Sequence, residues 1–186
     1  GKWGILTGNA TYQLNEAPYI YERYTAHPGE WSYNLPKTRT LTFGGKYQNP
    51  KWGITAEANY YNLQNLPVYP GFANPYYDLK GGNFVVPHFA NRTGIKGFHF
   101  DNDIWMTIPL GNSTITDYYA FLYTKHSVFY DARIFKKVLW LAIGVDLRMR
   151  YYTNPPYYDP LLGAFYPSFS NLKFMPQFDV FLNVKV

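Results

Sequence analysis

From Leu139 to Tyr151 the chain reads LWLAIGVDLRMRY, and its side chains sort by parity. Leu139, Leu141, Ile143, Val145, Leu147, Met149 and Tyr151 form one series, while Trp140, Ala142, Gly144, Asp146, Arg148 and Arg150 form the other. A period of two is the signature of a strand, so the first series faces an apolar medium and the second carries the charges. The same alternation recurs and predicts eight strands, at about residues 2–14, 38–48, 52–64, 83–92, 97–108, 121–135, 138–152 and 177–186. Links after the first, third, fifth and seventh strands are long and rich in Pro, Tyr and Asn; those after the second, fourth and sixth are tight. Long and short connections in strict alternation mark an antiparallel up-and-down transmembrane β-barrel, and a Greek-key sandwich is the main structural rival.

The faces agree from strand to strand. The apolar series contains Leu6, Ala10, Tyr12 and Leu14; Leu41, Phe43 and Tyr47; Trp52, Ile54, Ala56, Ala58 and Tyr60; Phe98, Phe100, Ile104 and Met106; Val128, Tyr130, Ala132 and Ile134; and Phe178, Val180, Leu182, Val184 and Val186. None is charged, as a lipid-facing wall requires, because Arg or Lys at mid-depth costs about 2 to 4 kcal/mol there. The opposite series holds Lys46, Glu57, Asp101, Asp103, Lys125, Asp131, Arg133, Asp146, Arg148, Arg150, Asp179 and Lys185, which are expected to line the interior and set its charge preference. Asn102 is a polar misfit on the apolar series, Lys2 and Arg39 share its parity at strand ends, and Pro87 with His88 obscures the parity of the fourth strand.

Composition fits this reading. Aromatics make up 21% of the residues and charged groups only 16%, a balance suited to aromatic girdles at a membrane interface. The longest apolar run, Val138 to Val145, is too short for a membrane helix. Cysteine is absent, which excludes disulfide frameworks and thiolate metal sites. The formal net charge is +5, but no basic run exceeds two residues, so no nucleic-acid partner is expected. The chain opens directly on a strand pattern with no visible signal peptide.

His99, Asp101 and Asp103 share one face at two-residue spacing, the pattern of a cation site or of a histidine base oriented by a carboxylate. Alternate residues of a strand stand roughly 7 Å apart, so a cation would need ligands from neighbouring strands. The polar ladder of a barrel interior is the expected role, with no catalytic residue, metal or cofactor. Arg148 and Arg150 either bind anionic solutes and lipopolysaccharide phosphate or pair with interior carboxylates such as Asp146 and Asp179. Pairing is the favoured reading. Asn154 to Tyr158 reads as a rigid loop over the barrel mouth rather than a sugar-stacking site.

Residues 124–186 resemble the C-terminal portion of the porin family of Bacteroidetes outer membranes. The shared elements are the strand Lys125 to Asp131, the turn Phe135-Lys136-Lys137, the strand end Arg148-Met149-Arg150-Tyr151, the loop Tyr158 to Tyr166, and the strand Asp179-Val180-Phe181-Leu182-Asn183. The resemblance implies a large outer-membrane barrel of which this chain, read as a single domain over 1–186, is a part. In that family the pattern continues past the strand at Asp179, whereas this chain stops at Val186.

Two functions follow as expectations. The first is a porin-like channel for passive or loop-gated passage of small hydrophilic solutes. The alternative is a structural or partner-binding barrel subunit of an outer-membrane complex. No enzymatic activity is expected. The expected partners are outer-membrane lipid and lipopolysaccharide, with other envelope proteins reached through long extracellular loops while the short turns lie in the periplasm.

Overall fold

A computed structural model describes residues 3–26, 29–68, 78–111, 119–135, 138–159, 164–168 and 173–185. In chain order its elements are β1 (Ile5–Asn15), the single helical turn α1 (Tyr19–Glu22), β2 (Arg23–Ala26), β3 (Gly29–Ser32), β4 (Thr38–Asn49), β5 (Ile54–Val68), β6 (Asp78–Ile95), β7 (Phe98–Met106), β8 (Ile108–Leu110), β9 (Ala120–Ile134), β10 (Leu139–Tyr152), β11 (Pro156–Asp159), β12 (Ala164–Pro167) and β13 (Phe174–Lys185). The eight alternating segments become β1, β4, β5, β6, β7, β9, β10 and β13. They lie side by side in that order in one antiparallel sheet, each paired with its sequence neighbour. Among the described residues, β1 does not pair with β13, and the sheet is open. No described helix is long and apolar enough to cross a membrane.

Four pieces were not anticipated. The first long connection contains the β2–β3 hairpin and the last contains β11–β12. β6 starts at Asp78 rather than near residue 83, and β8 pairs back onto its first half. None of these short segments is long enough to display a period of two. The two-lysine turn at Lys136 and Lys137, Lys2 and Val186 lie outside the described residues.

Register settles the faces, because directly opposed residues project to the same side. One row runs Ala56, Phe89, Ile104; another runs Phe98, Tyr130, Ile143, Leu182. These residues are not covered. Ile143, Leu182, Val180 and Phe178 are 51%, 61%, 69% and 65% exposed, and the only buried hydrophobic residues among those described are Leu63, Val68, Ala90 and Ala142. A sandwich would bury this face against a second sheet, which disposes of the rival architecture. The exposed apolar wall suits a sheet whose outer solvent is not water.

Tight turns join the strands at one end. Between β6 and β7 only Lys96 and Gly97 intervene, both at positive φ, as a two-residue hairpin demands. Gly97 carbonyl also accepts from the Asp131 N–H at 2.9 Å. A Cβ at Gly97 would stand 2.8 Å from the Asp131 carbonyl oxygen, whereas Gly111, also at positive φ, has open space around it. Gly97→Ala is therefore expected to cost more than the roughly 1 kcal/mol of backbone strain that Gly111→Ala carries. Urea midpoints of the two variants in lipid measure the difference, and equal midpoints would remove the steric argument.

At the β4–β5 turn, Asn49 is 2% exposed. Its side-chain oxygen accepts from the backbone N–H of Lys51 at 3.1 Å and of Trp52 at 3.3 Å. Trp52 thus stands in the turn rather than in the strand, fully at the sheet's end.

A polar face with two ion networks and a roofed mouth

All twelve charged residues expected on one face are found there together. Lys46 opposes Glu57, Asp103 opposes Lys125, Lys125 opposes Arg148, and Asp146 opposes both Ser127 and Asp179. Arg133 and Lys185 both oppose Trp140, and Arg150 opposes Tyr123. His88 joins the same face because it opposes Glu57 and Trp105, while Pro87 turns to the apolar side opposite Ala58.

The polar face carries two networks. Toward β5, β6 and β7, Asp103 is 7% exposed and bonds to two cationic or ring groups. His88 Nε2 donates to its Oδ1 at 3.1 Å, and the Arg92 guanidinium donates to its other oxygen. Arg92 Nε also lies 3.5 Å from Asp101, and Glu57 lies 4.0 Å from the other nitrogen of His88. The His88 ring lies flat on Trp105, with centroids 4.2 Å apart and the planes 1° from parallel. Toward β9, β10 and β13, Arg148 links Asp179 at 2.9 Å with Asp146 at 3.4 Å, and Lys125 lies 3.6 Å from the same Asp146 oxygen. Arg150 lies over the Tyr123 ring at 5.4 Å.

The His99, Asp101, Asp103 trio does not act as a unit. His99 Nε2 donates to Asp131, 32 residues further along the chain on the neighbouring strand β9, and its ring stacks on Phe129 at 4.6 Å. Asp131 also accepts from the Trp140 indole at 3.0 Å. Asp101 and Asp103 instead meet Arg92. Asp103 therefore orients His88, not His99, and no cluster of three metal-ligating side chains occurs among the described residues. Of the two arginines expected to pair with interior carboxylates, Arg148 meets Asp146 and Asp179, whereas Arg150 lies over the Tyr123 ring.

On the apolar face, the Asn102 misfit has company. Asn91 opposes Asn102, and Asn102 opposes His126, whose Nδ1 donates to the Asn102 side-chain oxygen at 2.8 Å. A second polar group nearer the long connections joins Tyr60, Asn62 and Asn83, with the Tyr60 hydroxyl donating to Asn83 at 2.9 Å and the Asn62 amide at 2.7 Å. Each of these amide, imidazole and phenol side chains has a partner, which lowers its cost in an apolar medium. Asn91, His126, Asn62 and Asn83 could have been found by extending the parity rule to polar residues on the apolar series.

At the end of the long connections, Leu63 and Val68 of β5 are 8% and 5% exposed. They line a cleft together with Tyr21 of α1, Thr38 of β4, Tyr119 before β9, and Phe165 of β12. In the sheet, β5 is separated from β10 by β6, β7 and β9. The β11–β12 hairpin that follows β10 thus arches back over the polar face. Burial pushes the phenols of Tyr21 and Tyr119 above the ordinary tyrosine range, so both remain neutral donors at this mouth under physiological conditions.

One uncovered apolar face, an opposite face bearing internally paired charges, and alternating tight and long connections define the wall of a β-barrel. The chain belongs to the family described as "Putative porin", whose model matches residues 2–186, nearly its whole length. That family description points to an outer-membrane location. No curated protein and no solved structure gave a match.

Proposed function

We propose that this chain forms part of an outer-membrane channel for small hydrophilic solutes, gated by its long connections and without enzymatic activity. In this reading the polar face lines a watery lumen and the apolar face meets lipid. The observation that carries it is the ion-paired polar face itself: charges from β5 to β13 compensate one another across the strands, and most of them stay partly exposed. A barrel of only eight strands has an interior just filled by side chains. The free edges of β1 and β13 fit a wider barrel completed by further strands. The long connections would then face the exterior, near lipopolysaccharide, and the tight turns the periplasm. The β11–β12 hairpin over the mouth would narrow the entrance.

Planar-bilayer recording of the full-length protein tests the reading. A steady conductance from correctly folded barrel is expected. A folded, inserted barrel that passes no current would replace the channel with the alternative, a structural or partner-binding subunit. One feature favours that alternative: Tyr157, Tyr158 and Phe165 of the mouth hairpin are 58%, 49% and 62% exposed, an aromatic surface on which an envelope protein could seat.

A further inference from the structure

Between β9, β10 and β13 the polar face holds a cleft of about 530 Å³. That is an ordinary volume for a small-molecule site. Its lining divides into an aromatic half, Phe129, Phe181 and Trp140, and a charged half, Lys125, Asp146, Arg148 and Asp179, with Asp101 at the border.

Neighbouring residues hold the aromatic half in place. Phe129 and Phe181 lie on either side of Gly144 in the register, their ring centroids 6.1 Å apart. A Cβ on Gly144 would stand 2.3 Å from the Phe129 Cβ, so only glycine admits this arrangement. His99 stacks behind Phe129 with planes 9° from parallel, and Asp131 pins the Trp140 indole. These rings are fixed before any ligand arrives, which reduces the ordering cost of binding.

The charged half is already compensated. Asp101 has Arg92 at 3.5 Å, Asp146 has Arg148 at 3.4 Å and Lys125 at 3.6 Å, and Asp179 has Arg148 at 2.9 Å. An incoming ion must break into one of these pairs. A hydroxyl group both donates and accepts, so it bonds to spare carboxylate lone pairs and guanidinium N–H groups while the pairs stay intact. A ring with apolar C–H faces and a hydroxylated edge matches both halves, with the faces burying apolar area on the aromatic side chains.

We propose that this cleft binds a neutral saccharide ring, with its hydroxyls toward Asp146, Arg148 and Asp179 and a C–H face on Phe181. The inference deepens the channel reading and rests on it, naming saccharides as the solute class.

The test uses full-length protein and maltose, measured by calorimetry in detergent and by current interruption in planar bilayers. Maltose is expected to bind and to interrupt the current. Glycylglycine and gluconate should bind at least about tenfold more weakly. Phe181→Ala should weaken maltose about tenfold while Phe181→Tyr retains it. Asp179→Asn, at the open rim, provides a second variant should Phe181→Ala fail to fold, and it too should weaken maltose. A conducting protein that neither binds nor is interrupted by maltose overturns the site and leaves the channel standing. Preference for glycylglycine or gluconate overturns the saccharide assignment, as does maltose affinity unchanged in the folded variants. Maltose binding without conductance supports the site while removing the channel.

Discussion

Replacing Ile143 with Arg is expected to destabilise the barrel by about 2 to 4 kcal/mol and to impair its assembly. Ile143 sits near the centre of β10, between Tyr130 and Leu182 in the register, and is 51% exposed on the apolar face. In water an exposed Arg at such a place would be tolerated. In hydrocarbon the guanidinium has neither solvent nor a partner on that face, and the distance to the interface is at its longest at mid-strand. Three residues along, Asp146 points to the other side and touches Lys125 and Arg148. Asp146→Asn should be mild, roughly 1 kcal/mol or less, because Arg148 keeps its bond to Asp179. The amount of folded, heat-modifiable protein in membrane fractions and urea unfolding in lipid vesicles both measure the contrast. Equal tolerance of the two substitutions would remove the membrane assignment of the apolar face.

Neutralising Arg148 and Arg150 together is expected to shift ionic selectivity toward cations, with the permeability ratio changing roughly twofold or more at low salt. The twelve charges expected from the sequence comprise equal numbers of acids and bases, Lys46, Lys125, Arg133, Arg148, Arg150 and Lys185 against Glu57, Asp101, Asp103, Asp131, Asp146 and Asp179, and Arg92, opposite Asp101 in the register, adds one further base to this face. The unaltered lumen should therefore discriminate weakly. Loss of Arg148 leaves Asp179 without its close cation and Asp146 with Lys125 alone. Loss of Arg150 removes the cation over Tyr123. Neutralising Lys136 and Lys137, which fall between β9 and β10 in the sequence, should leave the ratio nearly unchanged. Reversal potentials across a salt gradient read out both variants, and the shift should shrink as ionic strength rises. An equal shift from Lys136 and Lys137 would mean that the polar face of β10 does not set the field.

Strand order and facing were legible because the period of two is a local property, repeated over ten or more residues in each long strand. β10 shows this most clearly: its two parity series map without exception onto the two faces. Where the period was interrupted, legibility failed. Pro87 sits on the apolar side and obscured His88, which turns out to oppose Glu57. The cross-strand partners were invisible for a different reason. Register is set by turn geometry and by the neighbouring strand, so nothing within residues 97–108 announces that His99 meets Asp131 while Asp103 meets His88. Residues two apart on one strand look like a cluster in sequence, yet each is closer to its lateral neighbours than to the other. The mouth hairpins are too short to carry any periodic signal.

The open edges of β1 and β13 bear on how such a wall can enter a bilayer at all. In water, unsatisfied backbone N–H and C=O groups along these edges are solvated. In hydrocarbon each costs several kcal/mol, a penalty of the same order as the gain from burying the apolar face. Closing the seam removes that penalty, so sealing the barrel and leaving water are coupled, and the apolar face gains most from insertion once the last strands join.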